Sequence, residues 1–472
     1  MIGKKILLVN TNMEKFPYPV PPLGLCLLAG VLETEYIVQI YDGVFDEGKN
    51  YLKTIEEFNP DIIGLSLRNI DNMVFDNRKS YIDDVNKIFV KPIKDVSKAI
   101  TIIGGSGFSI FPNELMQYFE TDYGVIGEAE ETLPILLKYI ENNLDVSQLK
   151  NVIQKNGDNK ISNSFISLAS DTKLVNESLI YNRIDFSLYR ERGVYSIQTK
   201  RGCHHQCIYC TYPIIEGCNY RLRNAVDIVN EIENAHKSLG NITFEFVDST
   251  FNDPAGHAES ICKEIIKRKL KINLRTMGIN PAHSSKELFD LMLNAGFGQI
   301  DSTPDSASPK IIKILKKNFS FEQLKKTALL IKESDIPTMW FFLFGAPQEN
   351  NDTVNETFDF ISKFINPNDM VHMTVGLRIY PNTELQRIAI KEEVIKATDS
   401  LLKTTFYVSN EIGKEALDEV IKKFSLEFSN CIPASESTPS KEMMQMAMKM
   451  RKEENLQEPM FRTLMRVKRM MK

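Results

Sequence analysis

Short apolar runs alternate with helix-like segments along most of this 472-residue chain, and this alternation restricts the possible fold more than any other feature. It occurs in two series, over residues 1–145 and again over residues 191–390. Strands that alternate with helices predict parallel sheets covered by helices on both faces. We therefore expect an α/β protein that binds its ligands at the carboxyl ends of the strands.

The first series predicts a Rossmann-like domain with strands at 5–9, 36–41, 61–67, 99–103 and 123–126. The loops after the first, fourth and fifth of these strands are rich in glycine and proline, and glycine lets a ligand approach the backbone closely. No G-x-G-x-x-G follows the first strand, so a dinucleotide site is disfavoured. A flavodoxin-like domain with tight turns and no ligand is the simplest alternative.

The second series predicts six strand–helix units, with strands at 195–199, 243–247, 272–276, 299–303, 338–343 and 371–379. Six such units fit an open, partial (β/α)6 barrel with its functional groups on the loops after the strands. Residues 146–190 carry scattered Asn, Asp and Ser and are expected to form a linker. Residues 391–472 are rich in Lys and Met and are expected to form a C-terminal α-helical domain.

Three of the seven cysteines, Cys203, Cys207 and Cys210, follow the first strand of the second series with the spacing Cys-x3-Cys-x2-Cys. Three thiolates on one loop suit a 4Fe–4S cluster whose fourth iron stays open to a ligand. Zinc would require a fourth Cys or His, and His204 and His205 inside the loop leave that alternative open. Disulfides are not expected in a chain without a secretory signal.

The cysteine spacing, the preceding Arg201-Gly202 and the aromatic Tyr209 resemble the signature of the radical S-adenosylmethionine (SAM) superfamily. The resemblance implies that SAM chelates the open iron and is cleaved to a 5′-deoxyadenosyl radical. It places Tyr209 beside the adenine and Asp248 at the SAM amino group. Asp305 and Ser306 stand where the family has a Glu-Ser pair that contacts SAM.

The glycine-rich loops of the first series resemble the cobalamin-binding domain of the cobalamin-dependent (class B) radical SAM enzymes. Pro-Pro-Leu-Gly follows the first strand, Gly-Gly the fourth, and Gly-Glu-x-Glu the fifth. Since residues 1–145 contain no histidine, cobalamin is expected without His ligation. The resemblance and the positions of the loops predict these cofactor contacts: Pro22, Leu23, Gly24, Ser66, Asn69, Gly104, Gly105, Gly127 and Glu128.

The resemblance covers residues 1 to about 390 and implies a C-methyltransferase that uses SAM both to form methylcobalamin and to generate the radical. An alternative is cyclisation, ring contraction or rearrangement with the same cofactors. A further alternative, a cobalamin-binding sensor without turnover, is disfavoured by the intact cysteine triplet. The expected partners are a small-molecule or peptide substrate and an external electron donor of the flavodoxin or ferredoxin type. No catalytic side chain is assigned.

Net charge is -5 and acidic and basic residues are intermixed, so the sequence lacks the basic cluster that indicates nucleic-acid binding. No apolar run is long enough to span a bilayer, and residues 1–5 lead directly into a strand, so we expect a cytoplasmic protein. Arg275 is expected either to meet the SAM carboxylate or to form a surface ion pair. Trp340 and His372 are expected in the core, and Cys218 is a minor candidate for an active-site group.

Overall fold

The computed structural model describes residues 3–155, 180–190 and 193–471. The first sheet has the strand order β2-β1-β3-β4-β5-β6. Its strands are parallel except β6, which pairs antiparallel with β5. The order changes direction between β1 and β3, which creates a switch point at their carboxyl ends. The strands are β1 (Lys5–Asn10), β2 (Ile37–Asp42), β3 (Ile62–Ser66), β4 (Ile100–Gly104), β5 (Tyr123–Val125) and β6 (Val152–Gln154).

Helices cover both faces of this sheet, as the alternating pattern predicted. A π-helical turn, Asn86–Val90, lies between α4 and α5. The α-helices are α1 (Leu23–Leu32), α2 (Gly43–Asp46), α3 (Tyr51–Phe58), α4 (Ile82–Val85), α5 (Ile93–Val96), α6 (Ser106–Ile110), α7 (Pro112–Phe119) and α8 (Ala129–Glu141).

The second sheet has the order β17-β14-β13-β12-β11-β10-β7 and is parallel throughout. Its first six strands along the chain are the six that the sequence predicted. The pairs β8–β9 and β15–β16 are short antiparallel ribbons. The strands are β7 (Tyr195–Ile197), β8 (Lys200–Arg201), β9 (Arg221–Leu222), β10 (Thr243–Phe246), β11 (Asn273–Ile279), β12 (Phe297–Asp305), β13 (Thr338–Phe344), β14 (Met370–Val375), β15 (Leu377–Arg378), β16 (Phe406–Tyr407) and β17 (Cys431–Pro433).

The helices after the strands form the outer layer of this partial barrel. Short 3-10 helices occur at Val146–Gln148, Ile180–Arg183, Phe186–Tyr189, Pro281–His283 and Ala434–Glu436. The α-helices are α9 (Tyr212–Ile215), α10 (Ala225–Leu239), α11 (His257–Lys267), α12 (Lys286–Ala295), α13 (Pro309–Ile314), α14 (Phe321–Ser334), α15 (Asn351–Phe364), α16 (Glu384–Lys391), α17 (Lys414–Glu427), α18 (Lys441–Glu453) and α19 (Met460–Met470).

Burial alternates along the barrel strands. In β13 the side chains of Trp340 and Phe342 are buried and contact the ring of Phe360 in α15. Phe341 on the opposite face is only partly buried and contacts the ring of His372. The face away from the helices therefore lines an interior that solvent reaches, as ligand binding inside the barrel requires.

The C-terminal region differs from the prediction of an entirely helical domain. The sequence predicted only helices over residues 391–472, but α17 ends at Glu427 and Cys431–Pro433 forms β17 against β14. Three residues are too few to show a strand period, so the pattern could not reveal this strand. Pro433 is tolerated because β17 lies at the edge of the sheet. β16 is a second short strand in this region.

The expected linker is partly integrated into the fold. Residues 156–179 lie outside the described residues, whereas β6 completes the first sheet. Tyr181, Phe186 and Tyr189 are buried in the barrel core. The division at about residues 145, 190 and 390 stays a proposal.

One hydrophobic cluster joins the two α/β regions. It contains Leu67 and Phe108 from the first region and Ile208 from the cysteine loop. The loops of the first sheet therefore pack directly against the segment that carries the cysteines. Among the described residues, no helix combines the length and the apolar character needed to cross a membrane.

Candidate active site

The cysteine loop begins at β8, on the carboxyl side of β7. Gly202 has φ 87°, and a Cβ added there would lie 2.0 Å from the carbonyl oxygen of Asn219, so only glycine fits. The amide of Cys203 donates to the Gly217 carbonyl at 2.9 Å, and the amide of Cys210 donates to the Cys207 carbonyl at 3.1 Å. These bonds fold residues 203–210 into one compact loop.

The three cysteines of this loop are free thiols with little exposure. Cys203 is 5% exposed, and Cys207 and Cys210 are partly buried. Burial raises the pKa of Cys207 and raises that of Cys210 to about 12. A bound cation offsets such a desolvation cost, because metal ligation requires the thiolate. Three such sulfurs on one loop fit three irons of a cubane cluster.

Two arginines beside the cysteine loop bind the two glutamates of the Gly-Glu-x-Glu turn. Arg201 Nη2 lies 2.5 Å from Glu130 Oε1, and Arg221 Nη1 donates to Glu128 Oε2 at 2.7 Å. Arg201 Nη1 also lies 3.3 Å from Glu128 Oε2. These side chains are 9–14% exposed, so the pairs are largely shielded from solvent. They attach the cysteine loop to the carboxyl edge of the first sheet, and the cofactor contact predicted for Glu128 stays a prediction.

Asp248 lies at the end of β10, next to the start of the cysteine loop. Its Oδ1 accepts from the amides of Thr199 at 2.7 Å and Lys200 at 3.2 Å. Its Oδ2 accepts from the Thr199 hydroxyl at 2.6 Å. Both carboxylate oxygens are therefore engaged in holding β7 to the loop. The predicted contact with the SAM amino group stays a prediction, and the geometry favours a positioning role.

Tyr209, Asp305 and Lys317 form a buried cluster next to the cysteines. The Tyr209 hydroxyl donates to Asp305 Oδ2, and Lys317 Nζ donates to the same oxygen at 2.7 Å. Burial lowers the pKa of Lys317, but the nearby Asp305 carboxylate outweighs it and holds that pKa above its usual value. Asp305 has φ 65°, the left-handed region that Asp tolerates better than most residues. Tyr209 and Asp305 are thus brought together as predicted members of one site.

Ser306 points away from this cluster. Its hydroxyl oxygen lies 3.2 Å from Thr357 Oγ1 and accepts from the Ser308 amide at 3.1 Å. Ser306 is 1% exposed. Its position supports the turn after β12, and its predicted SAM contact stays a prediction.

The predicted cofactor edge of the first sheet is built from buried polar side chains and glycines. Asn69 Nδ2 donates to Asn12 Oδ1 at 3.2 Å, and Thr11 Oγ1 donates to the Ser66 carbonyl at 2.8 Å. Gly105 has φ 101°, and its added Cβ would lie 2.7 Å from the Leu67 carbonyl oxygen. A side chain at position 105 would therefore collide with the backbone of the loop after β3.

The remaining predicted contacts border the same edge. Pro22 and Leu23 start α1, and a Cβ on Gly24 would meet nothing within 4 Å, which leaves room for a ligand. A Cβ on Gly104 would lie 3.3 Å from the Val125 carbonyl oxygen. The Gly127 amide donates to Ser109 Oγ at 2.8 Å.

The structure also shows the environment of four further side chains that the sequence singled out. Arg275 is neither on the surface nor free, because its Nε lies 2.5 Å from Glu245 Oε2 and its guanidinium stacks on Tyr18 at 4.0 Å. Trp340 is fully buried, as expected. His372 is partly buried, and its Nδ1 has no hydrogen-bond partner. Cys218 is exposed and follows Gly217, which bonds to Cys203.

The sequence did not single out two partly buried charged groups near the cysteines. One is Lys317, described above. The other is Glu216, whose Oε2 accepts from the Gly202 amide at 3.1 Å and whose Oε1 accepts from Gln198 at 3.3 Å. Burial raises the pKa of Glu216. Neither residue belongs to a sequence motif. The only available signal was closeness to the cysteine loop along the chain, which applies to Glu216 but not to Lys317.

Comparisons with known proteins agree with this arrangement. The model of the radical SAM superfamily matches residues 197–361, and that of the B12 binding domain matches residues 9–137. A tryptophan 2-C-methyltransferase from Streptomyces laurentii is 22% identical over 80% of this chain and 73% of its own.

Two solved structures show the same fold. The radical S-adenosylmethionine methyltransferase TsrM from Kitasatospora setae, with cobalamin and a 4Fe–4S cluster bound, is 20% identical. It matches with a TM-score of 0.83 over 99% of each chain. The cobalamin-dependent S-adenosylmethionine radical enzyme OxsB is 18% identical, with a TM-score of 0.73 over 98% of this chain and 70% of its own.

Proposed function

This chain is a radical SAM protein with an N-terminal B12-binding domain, and from that premise we propose that it is a cobalamin-dependent C-methyltransferase. The observation that carries the proposal is the attachment of the cysteine loop to the cofactor edge of the first sheet. Arg201 and Arg221 bind Glu128 and Glu130 across that boundary. Cofactors bound at these two surfaces would face each other, as methyl transfer from SAM to cobalamin requires.

The residues present fit each cofactor by their chemistry. Cys203, Cys207 and Cys210 would hold a 4Fe–4S cluster, and the sheet edge at Gly24, Gly104 and Gly105 would take cobalamin. When bound, these groups supply one-electron chemistry and a transferable methyl group. Since residues 1–145 contain no histidine, this domain offers no imidazole to the cobalt.

The protein's own side chains orient the reactants and limit water access. Asp248 fixes the start of the cysteine loop through its bonds to Thr199 and Lys200. Lys317 neutralises Asp305, so the Tyr209 hydroxyl is held in place without leaving a net charge beside the cluster site. Fixed positions of this kind reduce the entropy cost of bringing two reactants together.

The substrate would enter the accessible barrel interior. We take tryptophan as the first compound to test because the curated relative acts on it. A reductant is required by chemistry of this class, and we propose a flavodoxin or ferredoxin as the external donor. We further propose that the enzyme works in the cytoplasm, where a reducing environment protects an iron–sulfur cluster.

The test is anaerobic reconstitution of the full chain with iron, sulfide and hydroxocobalamin, followed by turnover with tryptophan, methyl-deuterated SAM and an added low-potential one-electron reductant. Four irons and one cobalamin per chain, with deuterated methyl in the product and S-adenosylhomocysteine released, would support the proposal. Release of 5′-deoxyadenosine without label transfer would instead favour cyclisation or rearrangement.

Matched variants separate the cluster from the rest of the fold. The triple change C203A/C207A/C210A should abolish the cluster absorbance and the activity while retaining cobalamin. The control is C262A, which removes a buried cysteine of α11 and should retain four irons. Full activity in the triple variant would refute the assignment.

A further inference from the structure

A second group of potential metal ligands lies on the carboxyl face of the barrel, around Asp253. His205 Nε2 is 2.6 Å from Asp253 Oδ2, and His283 Nε2 is 3.6 Å from Asp253 Oδ1. One ligand atom each of His204, His205 and Asp253 fall within 4.8 Å of one another. Three of the six histidines of the chain thus lie near one carboxylate, although His283 approaches only Asp253 and is outside the 4.8 Å group.

These residues come from three separate loops. His204 and His205 lie between Cys203 and Cys207, Asp253 follows β10, and His283 ends the 3-10 helix after β11. All three loops project from the carboxyl ends of the strands, where a barrel places its functional groups. Convergence of imidazole nitrogens from two loops on a buried carboxylate from a third is typical of a metal site rather than of a single surface ion pair.

The centre of the group is buried and held by further hydrogen bonds. The side chains of Asp253 and His205 are 1% and 7% exposed. Asn280 Nδ2 donates to Asp253 Oδ2 at 2.9 Å, and Asn252 is bonded to the backbone of Asn280. Such outer bonds orient a ligating carboxylate. His204 is exposed and leaves a route for an ion to enter.

His205 Nδ1 supplies an independent observation. It is buried and has no hydrogen-bond partner. A buried polar atom without a partner is costly, so a second state of this ring that relieves the cost is favoured. Turning the ring about its Cβ–Cγ bond would redirect Nδ1, and an ion bound there would relieve this cost.

We propose that His204, His205, His283 and Asp253 bind a divalent cation of the zinc class. Imidazole and carboxylate donors together select zinc and neighbouring transition metals, whereas calcium and magnesium take oxygen donors. The 2.6 Å contact is a hydrogen-bond distance, and ligands of one tetrahedral zinc lie about 3.3 Å apart. Binding would replace the proton shared by His205 and Asp253 and separate the two side chains by several tenths of an ångström.

The ion would order the cysteine loop. It would link residues 204–205 to the ends of β10 and β11, and the cysteines on either side would then be held in place before the cluster is assembled. This role does not depend on the proposed function, because it requires neither cobalamin nor SAM.

The first experiment uses cobalt(II) as the probe on full-length C203A/C207A/C210A, in which no thiolate of the loop can compete. We expect one bound cobalt with the visible absorption of a four-coordinate site, no sulfur charge-transfer band, and displacement by zinc. Asp253→Asn and His283→Ala should each weaken binding about 100-fold or more, since even outer partners of metal ligands cost 10–100-fold.

The control is His236→Ala. His236 is partly buried on α10, and its Nδ1 lies 3.1 Å from the Gly240 carbonyl oxygen. This variant should bind cobalt as the parent does. Stoichiometric cobalt that is unaffected by D253N and H283A, or no binding by a parent with native circular dichroism, would overturn the proposal.

A second measurement uses the reconstituted wild-type holoenzyme and therefore does not depend on folding of the triple variant. After dialysis against zinc, metal analysis should give one zinc beside the four irons of each chain. H283A should lose the zinc and keep the irons, because His283 lies outside the cysteine loop. Four irons with no zinc in the wild type would refute the site but leave the proposed function intact.

Discussion

Asp248 organises the start of the cysteine loop through three hydrogen bonds from two consecutive residues. The carboxylate is 5% exposed, so solvent does not replace a lost partner. Neighbouring buried charges are paired in the same manner, as Lys317 with Asp305 illustrates. At the scale of single residues, the geometry of the site depends on charged side chains whose hydrogen bonds and ion pairs are made with other groups of the protein.

Asp248→Asn should destabilise the fold by about 1–3 kcal/mol. The new amide NH2 would face the amide and hydroxyl of Thr199, whose hydrogen bonds the carboxylate now accepts. The measurement is urea unfolding of the cofactor-free chain. The control is Asp290→Asn, which removes an exposed i,i+4 ion pair with Lys286 and should cost less than about 0.5 kcal/mol. Equal midpoints for the two variants would contradict the positioning role.

The sequence predicted which loops carry the site but not which side chains pair with one another. Cys203, Cys207 and Cys210 were identified because their short spacing can be read directly from the sequence. The partners of Glu128 were not, because Arg221 lies 93 residues further along the chain and no local pattern encodes such a contact. Long-range pairs depend on the packing of whole elements, which a single sequence does not display.

Glu349 closes the turn between β13 and α15. Its Oε2 accepts from the amides of Gly345 and Ala346, and its Oε1 is buried without a partner. Burial raises the pKa of Glu349 from 4.5 to about 7. At the scale of elements, one strand–helix connection therefore contains a proton-binding group.

This group should make stability fall with rising pH. The folded state binds the proton more tightly than the unfolded state, so its contribution is full below about pH 4.5 and lost as pH rises to about 7. The slope from one proton is at most about 1.4 kcal/mol per pH unit. Glu349→Gln should remove that slope in unfolding measurements between pH 5 and 7. Glu419→Gln, on the exposed face of α17, makes the same charge change without burial, and an identical effect of both variants would refute the prediction.

Most helices and strands were predictable because their periods extend over many residues. The first six strands of the second sheet overlap the six ranges that the pattern predicted. β17 was missed because three apolar residues before a proline carry no period, and its strand character comes from pairing with β14. The first sheet gained β6 from the expected linker for the same reason.

The whole molecule is held together by contacts between the loops of the two sheets. Arg378, after β14, has its Nε 2.9 Å from Oδ2 of Asp71 in the loop after β3. The two side chains are 4% and 2% exposed. Removing one partner of a buried pair leaves an uncompensated charge, which typically costs about 3–5 kcal/mol.

Asp71→Asn should therefore lower the free energy of unfolding by several kcal/mol and expose the loop after β3 to limited proteolysis. Asp76→Asn is a matched control on the same loop. Asp76 pairs with Lys414 at 2.6 Å but is 43% exposed, so its loss should cost about 0–1 kcal/mol. Similar proteolysis of both variants would show that the Asp71 pair does not secure the two regions.

Tyr18 has a consequence for how such a protein can be assembled from parts. It belongs to the loop after β1, yet its hydroxyl donates to Glu245 Oε2 at 2.7 Å and its ring lies against Arg275. The N-terminal region thus completes the wall of the barrel. Exchange of that region for one without a tyrosine at this position would remove both contacts. A barrel region produced alone would lack the Tyr18 contacts to Glu245 and Arg275 until the N-terminal region was added as a separate chain.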